Sequence, residues 1–213
     1  MTYHFRDGRI DEASDLVKQH HYSGRVPSNI QFVGTLHDHG GLFGDYGKAV
    51  AAVFFCIPPT RWSQPVIELA RLVRADQQVP LTMLLSLSCK RLKSAGHDLL
   101  VSFADRTQGH HGGIYQAASW KYAGCRNRQM DGVLLDGVFV PGRSCNSKWG
   151  TRSPEKLTQI LGRKVMPHYD EGKHLYWRAL GSKGAAKAAS LGLHSLVYPK
   201  PNVALSGHKV AAE

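Results

Sequence analysis

The stretch VIELARLVRADQQVPLTMLLSLSCKRLKSAGHDLLVSFAD, residues 66–105, contains the pattern that decides the fold. Residues 66–74 are mostly apolar and include the β-branched Val66, Ile67 and Val73, which predicts a strand. A helix is predicted over 80–95, because it opens on a proline and is followed by a glycine. The apolar run 99–104 predicts a second, buried strand that ends at Asp105. This segment is therefore a strand–helix–strand unit.

The flanking sequence extends this unit into a mixed sheet. Upstream, the pattern predicts a strand, a helix and an antiparallel hairpin over residues 2–6, 11–20, 31–36 and 48–57. Downstream, it predicts a helix, a strand, a helix that starts at Ser153 and a last strand over residues 112–122, 133–140, 153 onward and 174–180. The class is α/β (α+β mixed), with a mostly antiparallel sheet flanked by helices. That order is typical of a GNAT-type acyltransferase core, and several other α+β folds share it.

Length and composition suit one globular domain with a tail. The chain has 213 residues, of which 42% are hydrophobic and 20% charged, and this excludes wholesale disorder. We expect a catalytic domain over 1–180 and a basic tail rich in Ala, Gly and Lys over 181–213. No apolar run approaches the ~20 residues that span a bilayer, and the N-terminus lacks a signal peptide, so a cytosolic protein is expected. The four cysteines form no CxxC pair, which argues against a zinc knuckle or a disulfide scaffold.

The charge of the chain is positive and uneven. It has 27 basic and 16 acidic residues, a net charge of +11, and residues 121–213 alone hold 15 basic and 6 acidic residues. A positive electrostatic field that is concentrated in this half of the chain favours a polyanionic partner, most commonly nucleic acid. A basic protein without such a partner is the alternative. A membrane surface is less favoured, because no basic helix has large apolar residues on its other face.

Aromatic and basic residues alternate in this half. Rings interleaved with cations suit stacking on bases together with phosphate contacts, whereas single aromatics are more often core residues. The set comprises Trp120, Lys121, Tyr122, Arg126, Arg128, Arg143, Lys148, Trp149 and Arg152.

Two segments have residue types suited to acid–base chemistry. In the first, His21 could act as a base and Tyr22 as a proton donor, although histidines at a helix end are also favoured by its dipole. In the second, Asp105 lies at a strand end before a glycine-rich loop, with Tyr115 ten residues later. Asp105 with the adjacent histidines of residues 110–111 could hold iron or zinc, or it could be a turn or cap residue.

The strand over 66–74 offers two arginines as phosphate clamps. Strict alternation puts Glu68 and Arg74 on one face of this strand and Arg71 on the other. Only one of the two arginines can then face a site, and the sequence leaves open which one.

Four segments together resemble the phage Mom DNA-modification family. They are His21-Tyr22-Ser23-Gly24, Glu68 to Arg74, Ser102 to Trp120 and Lys148 to Ser153, and the resemblance covers residues 20–155. It implies a GNAT-related fold and a carbamoylmethyl group placed on the exocyclic amine of adenine in DNA. This modification protects phage DNA from restriction, in the host cell cytoplasm. It also implies a catalytic set of His21, Tyr22, Asp105 and Tyr115, and iron is a further expectation from the family.

Around this set we expect residues that bind the substrate or the donor. They are Ser23, Arg71, Arg74, His110, His111, Trp120, Tyr122, Arg126, Arg128, Lys148 and Arg152. The expected partners are double-stranded DNA and tRNA.

The segment 71–80 departs from the acetyltransferase pattern. GNAT acetyltransferases usually have an Arg/Gln-x-x-Gly-x-Gly/Ala turn, whose N–H groups bind the pyrophosphate of coenzyme A. Here the segment has no glycine, and Asp76 would repel a phosphate. We therefore expect an activated glycyl donor, either glycyl-tRNA or a coenzyme A ester. An acetyl-CoA-dependent acetyltransferase and a non-catalytic DNA-binding module are the alternative functions.

Overall fold

The computed structural model describes residues 2–40, 45–59 and 62–200, except the side chains of residues 39, 40, 45 and 46. Its described strands are β1 (His4–Asp7), β2 (Ile30–Gly40), β3 (Asp45–Cys56), β4 (Ile67–Arg74), β5 (Leu99–Asp105), β6 (Lys121–Arg126), β7 (Met130–Leu135), β8 (Val138–Pro141), β9 (Val165–Tyr169) and β10 (Lys173–Ala179). Its described helices are α1 (Ile10–His20), α2 (Leu81–Ser94), α3 (Gly113–Ala117), α4 (Gly142–Trp149), α5 (Pro154–Leu161) and α6 (Ser182–Ser190). None of the helices in these ranges is long and apolar enough to cross a membrane.

The described residues form two units. The first comprises residues 2–103, 112–124 and 175–200, and the second comprises residues 104–111 and 125–174.

A seven-stranded sheet in the order β1-β2-β3-β4-β5-β10-β6 is the centre of the first unit. The neighbours β1 to β4 pair antiparallel, and β4 pairs parallel with β5. A parallel pair needs a crossover connection, and α2 supplies it. The predicted hairpin, the strand–helix–strand unit and the mixed, mostly antiparallel sheet are therefore confirmed.

Helices cover this sheet with apolar faces. The helix α1 buries Ala13, Leu16 and Val17 against β2, β3 and β4, at the helical spacing seen in the sequence. The helix α2 contacts β2 and β3 and buries Leu84 and Leu85. Each fully buried leucine contributes roughly 2 kcal/mol, so this packing fixes the positions of the strand ends.

A β-bulge interrupts the regular alternation of β4. Phe54 of β3 lies opposite Arg71, and the next residue, Phe55, lies opposite Leu69. Ala70 is therefore an extra residue with no partner on β3. Such a bulge shifts every later side chain of its strand to the opposite face.

The bulge corrects the predicted faces of β4. Glu68 pairs with Cys56 and Arg71 pairs with Phe54, and directly paired residues share a face. Glu68 and Arg71 therefore lie on the same face, the one covered by α1, and Arg74 lies on the other. Burial and, to a smaller extent, Glu68 raise the pKa of Cys56 to about 11, while Arg71 opposes this rise, which agrees with this placement.

The predicted helix over 112–122 is wrong in its second half. The helix α3 ends at Ala117, and Ser119 takes the left-handed conformation with φ 59°. The N–H of Trp120 still donates to Tyr115, and the chain then continues as β6 from Lys121. One residue in the left-handed conformation thus follows the end of the helix, at a point that the composition of residues 112–122 does not predict.

The second unit contains a three-stranded antiparallel sheet in the order β8-β7-β9. The single strand predicted over 133–140 is in fact the hairpin β7–β8. Asp136 and Gly137 have φ 51° and 82°, which is the type I′ turn that Asp-Gly favours between two strands. The predicted start of α5 is confirmed, because Ser153 accepts the N–H of Lys156 as its cap.

Residues 182–200 differ from the predicted tail. They begin with α6, and Ala188 and Leu193 are buried against Val66 and Trp177. An alanine-rich helix buries little area per residue, so its composition resembled that of a tail. The rest of the predicted tail, residues 201–213, lies outside the described residues.

Candidate functional site

Tyr115 is the centre of the candidate site in the first unit. Its ring is 8% exposed, and its hydroxyl lies 2.8 Å from Ser102 Oγ. Ser102 Oγ also lies 2.9 Å from the carbonyl oxygen of Leu69. Ser102 has one proton, and a carbonyl only accepts, so Ser102 donates to Leu69. Both hydrogen bonds are then made when Tyr115 donates to Ser102.

This hydroxyl pair lies where the ladder between β4 and β5 ends. The parallel pairing starts at Ile67 and Leu100 and stops at Leu69 and Ser102, although β4 continues to Arg74. Backbone groups beyond this point no longer bond across the two strands. Side chains at the end of a strand ladder are well placed to meet a ligand.

The phenol of Tyr115 retains its proton. Burial raises the pKa of Tyr115, the hydrogen bond with Ser102 opposes this rise, and Tyr22 and Glu68 add to it, so that the pKa is about 12. These influences also show that Tyr22 and Glu68 lie near the phenol. At neutral pH Tyr115 is therefore a hydrogen-bond donor, and it cannot act as a phenolate base.

Aromatic rings pack around Tyr115. Its centroid is 5.5 Å from that of Trp120 and 5.1 Å from that of Tyr176, which in turn is 5.3 Å from that of Tyr122. Trp120 is fully buried and Tyr122 is 8% exposed. These two rings are therefore buried in the core, as Tyr115 is, and their stacking on a base stays a prediction.

The segment after α1 places His21, Tyr22 and Ser23. The N–H of Ser23 donates to His21 Nδ1 at 3.1 Å, and the rings of His21 and Tyr22 stack at 4.5 Å. Because Nδ1 accepts a hydrogen bond, the neutral imidazole holds its proton on Nε2. His21 is then a donor at Nε2, which differs from the predicted role as a base. Ser23 orients His21 within this arrangement.

Arg71 joins this segment to β4. Its Nε donates to the carbonyl of Arg25 at 3.0 Å, and its Nη1 donates to that of Ala70 at 2.6 Å. Arg74, on the other face, binds Gln77 instead, with Nη1 2.7 Å from its carbonyl and Nη2 2.8 Å from its Oε1. Arg71 is therefore joined to the segment that follows His21, and which of the two arginines binds a substrate stays a prediction.

The connection between β4 and α2 uses its own N–H groups. Gln78 donates to Asp76 Oδ1 at 2.7 Å, and Val79 donates to the carbonyl of Asp76 at 3.2 Å. The N–H of Leu81 bonds to Val79, and Pro80 has none. The N–H groups of Gln78, Val79 and Leu81 are thus already used inside the loop.

Asp105 belongs to the second unit. Its Oδ1 accepts the N–H of Thr107 at 3.0 Å, so it caps the 3-10 turn Arg106–Gln108, and its Oδ2 lies 3.4 Å from Lys173 Nζ. The sequence offered this cap as one alternative for Asp105. Its role as a catalytic base stays a prediction.

Histidines near Asp105 form no metal site. Burial lowers the pKa of His174, and Arg106 and His111 also lower it, so the protonated form of this ring is disfavoured. Across the described ranges, no group of three or more His, Cys, Asp or Glu side chains is arranged to hold a metal ion. These residues do not fit the iron expected from the family, and no step is assigned to it.

The predicted nucleic-acid contacts of the second unit have different environments. Arg126 donates to Asp170, which is 1% exposed, and to Gln129, so Arg126 has a structural role. Arg128 lies over the ring of Tyr169 at 5.1 Å. The remaining members are exposed, apart from the half-buried His111, and their contacts stay predictions: His110, His111, Lys148 and Arg152.

A family model described as the Mom protein family matches residues 3–200. The chain belongs to the Mom protein family. No curated protein matches it by sequence.

Solved structures show which fold this Mom family member has. The protein yncA of Salmonella typhimurium, solved with its cofactor acetyl-CoA, is similar with a TM-score of 0.50 and 10% identity, over 85% of this chain and 96% of that chain. The ribosomal-protein-S18-alanine N-acetyltransferase of Escherichia coli has a TM-score of 0.49 and 9% identity, over 84% and 95%. The GNAT family N-acetyltransferase YhbS of Escherichia coli, in complex with CoA, has a TM-score of 0.42 and 12% identity, over 56% and 68%. The fold is that of the GNAT acetyltransferases, as predicted.

Sequence reasoning missed the partners of Tyr115. Ser102 is a polar residue in a strand predicted to be apolar, and this is the local signal that its hydroxyl has a hydrogen-bond partner. Tyr176 supplies a ring beside Tyr115 from a strand 61 positions later, and its ring lies so close to Gly112 that a side chain there would collide with it. Contacts this distant in sequence leave no local pattern.

Proposed function

We propose that this protein is a transferase that converts adenine in DNA to its carbamoylmethyl derivative at the exocyclic amine. Membership of the Mom family and the GNAT fold support a transferase. The observation that carries the proposal is the proton-bearing Tyr115 at the end of the β4–β5 ladder, beside Tyr22 and Glu68. The adenine amine lies inside the duplex, so the base is extruded at a cost of roughly a few kcal/mol.

The first step is transfer of a glycyl group. The adenine amine attacks the carbonyl carbon of an activated glycyl ester, and a carbon–nitrogen bond forms. The carbon–oxygen bond of the ester breaks, and the proton lost by the amine is balanced by the one that the leaving alcohol gains. The product is an amide, with the glycyl amine free at its other end.

The second step is a rearrangement. The glycyl amine attacks the ring carbon that bears the amide nitrogen, and a five-membered spiro ring forms. The bond between that carbon and the original nitrogen then breaks, and a proton moves from the attacking nitrogen to the departing one. The ring now bears NH–CH2–CO–NH2, which is the carbamoylmethyl product.

Tyr115 and His21 act as donors in this scheme. An oxyanion develops on the carbonyl in the first step, and a buried phenol that keeps its proton can donate to it. His21 Nε2 is a second donor, and Arg71 fixes the segment that holds it. The base that accepts the proton of the adenine amine is Asp105 in our proposal.

The donor in our proposal is glycyl-tRNA rather than a coenzyme A ester. Three N–H groups of the β4–α2 loop already bond within it, and the loop contains Asp76, which disfavours a pyrophosphate. Ribonuclease sensitivity of the reaction distinguishes the two donors. Tight binding of coenzyme A would instead favour an acetyl-CoA-dependent acetyltransferase.

Mass spectrometry of nucleosides tests the activity. DNA from cells that express the protein should contain the carbamoylmethyl nucleoside, and Tyr115→Phe should reduce it at least about a hundredfold, as expected for loss of an oxyanion donor. Tyr198→Phe is the matched control, because it removes one phenol hydrogen bond, 2.8 Å long, to the carbonyl of Trp120. DNA binding with no altered nucleoside would show a non-catalytic module. Full activity of Tyr115→Phe would remove Tyr115 from the site.

Labelled glycine tests the rearrangement. When the nitrogen of glycine is a heavy isotope, the label should be bonded to the purine ring. Label in the terminal amide, or no label in the product, would exclude the rearrangement. Label in a free amine of a glycyl adenine would show the transfer step without the rearrangement.

A further inference from the structure

One face of the three-stranded sheet in the second unit is open and aromatic. Leu134 pairs with Phe139 on one side and Met166 on the other, and Gly132 in the next row pairs with His168. Phe139 is 43% exposed and Met166 is 46% exposed. We call these five residues the aromatic face. The opposite side of the sheet packs on the core that α4 and α5 share.

Two rings on this face form one surface. The centroids of Phe139 and His168 lie 4.6 Å apart. The ring of Phe139 reaches His168 across Gly132, where an added Cβ would lie 2.6 Å from Phe139 Cε2. The glycine is therefore required by the position of the ring.

An aspartate fixes the histidine. Asp131 Oδ1 lies 2.7 Å from His168 Nδ1, and a carboxylate accepts, so Nδ1 holds the proton. The Nε2 atom of the neutral ring is then an acceptor. The pair of rings thus combines a stacking surface with one directed hydrogen-bonding atom.

A cation lies at one end of the aromatic face. Lys164 directly precedes β9 and is exposed, and alternation along β9 puts it on the same side as Met166 and His168. Arg128 lies over the exposed ring of Tyr169 at 5.1 Å, but Tyr169 directly follows His168, so this ring lies on the opposite side of β9. The carboxylates of Asp136 and Asp131 bind Arg163 and His168. From Lys164 to His168 the face extends about 13 Å along β9, which suits a strand of two nucleotides.

We propose that the aromatic face binds an unpaired segment of RNA. Exposed rings on a sheet, with a cation at one end, suit the flat faces of unstacked bases and a neighbouring phosphate. A duplex presents only base edges and backbone, so it cannot stack here. Cellular DNA is held as a duplex, and unpaired ends are mainly a property of RNA. The inference deepens the proposed function, on which it rests for its biological meaning, since a glycyl-tRNA donor has such an end.

Fluorescence anisotropy with a labelled, unstructured RNA oligonucleotide tests this surface without donor or turnover. Phe139→Ala should weaken RNA binding at least about fivefold, as for loss of stacking on one base. Phe139→Tyr should retain binding, because the ring remains. Ile160→Ala is the matched control, an apolar residue that is 55% exposed on α5, and it should change binding less than about twofold.

Further measurements distinguish RNA from two other candidate occupants of the aromatic face, single-stranded DNA and a second copy of the chain. RNA affinity that is unchanged in Phe139→Ala would overturn the proposal, as would tighter binding of the same sequence as single-stranded DNA. Dimers that dissociate on Phe139→Ala in analytical ultracentrifugation would assign the face to a second copy of the chain. Because binding is measured without modification, a failed nucleoside assay leaves this result independent of the proposed activity.

Discussion

Tyr115 is a buried phenol that keeps its proton and also makes a hydrogen bond. Its phenol is removed from water, which disfavours the charged phenolate, and it still makes a hydrogen bond to Ser102. An unpaired buried hydroxyl would be costly, so Ser102 stabilises the ring in one position. When an oxyanion forms nearby, only the phenol proton has to turn from Ser102 to the oxyanion, because the ring itself stays in place.

Alkaline stability tests the protonation state of Tyr115. Its folded pKa of about 12 is above the ordinary value of 10. The stabilisation is therefore complete below pH 10 and is lost as the pH rises from 10 to 12. Between pH 9 and pH 11 the free energy of unfolding should decrease by about 1 kcal/mol more in the wild type than in Tyr115→Phe.

Chemical denaturation at the two pH values measures this difference. The control is Tyr198→Phe, since Tyr198 is 41% exposed and its variant should follow the wild type. Equal slopes for all three proteins would mean that Tyr115 ionises normally, and it would then lose its assigned role as a permanent donor.

At the scale of the element, regular patterns were predictable from sequence and their exceptions were not. The strand–helix–strand unit follows from alternation and from the residues that bound α2. The bulge at Ala70 has no such signal, because it depends on how β3 pairs with β4, and it alone places Glu68 and Arg71 on one face. The Asp-Gly pair at 136–137 favours a turn, but the apolar residues on both sides of it favour one continuous strand.

The start of α3 depends on a close approach that only glycine allows. Gly112 has φ 82°, and an added Cβ would meet the ring of Tyr176, with its hydroxyl 2.7 Å away. Gly96 has a similar φ of 88° with nothing within 4 Å. Gly96→Ala should cost about 1 kcal/mol for the left-handed conformation, and Gly112→Ala at least about 1 kcal/mol more for the collision.

Denaturation midpoints of the two variants separate backbone strain from packing, since both glycines lie in the first unit. Comparable losses would show that Tyr176 moves aside easily. Gly112→Ala should also lower the activity proposed above, because a displaced Tyr176 disturbs the ring next to it, Tyr115.

At the scale of the whole molecule, the candidate site was only partly readable from sequence. The resemblance indicated His21, Tyr22 and Tyr115, and the structure brings these residues of the first unit near Ser102, Glu68 and Arg71. It could not show that Trp120 and Tyr122 are core residues. Their burial follows from β10 and from the chain after α6, whose positions no local pattern encodes.

Truncation tests the part of the chain after Gly181. Residues 182–200 cover the cluster that contains Val66, Leu99 and Trp177, and Leu193 contributes a buried side chain to it. Ending the chain at Gly181 exposes these apolar residues and removes roughly 2 kcal/mol for each large one. The shortened protein should aggregate or lose cooperative thermal unfolding.

A second truncation, after Lys200, is the control. It deletes only residues 201–213 and keeps α6, the ion pair of Lys187 with Asp98 at 2.7 Å and the hydrogen bond from Trp177 to His194 at 3.3 Å. Its thermal midpoint should stay within a few degrees of the full chain, since each kcal/mol shifts the midpoint by only about 2–4 °C at this length. A chain that ends at Gly181 and still unfolds cooperatively at the original midpoint would show that 182–200 is a dispensable tail after all. If the chain that ends at Gly181 aggregates or unfolds without cooperativity, α6 is part of the catalytic domain. The reason is that β10, which supplies Tyr176, packs against α6 through Trp177.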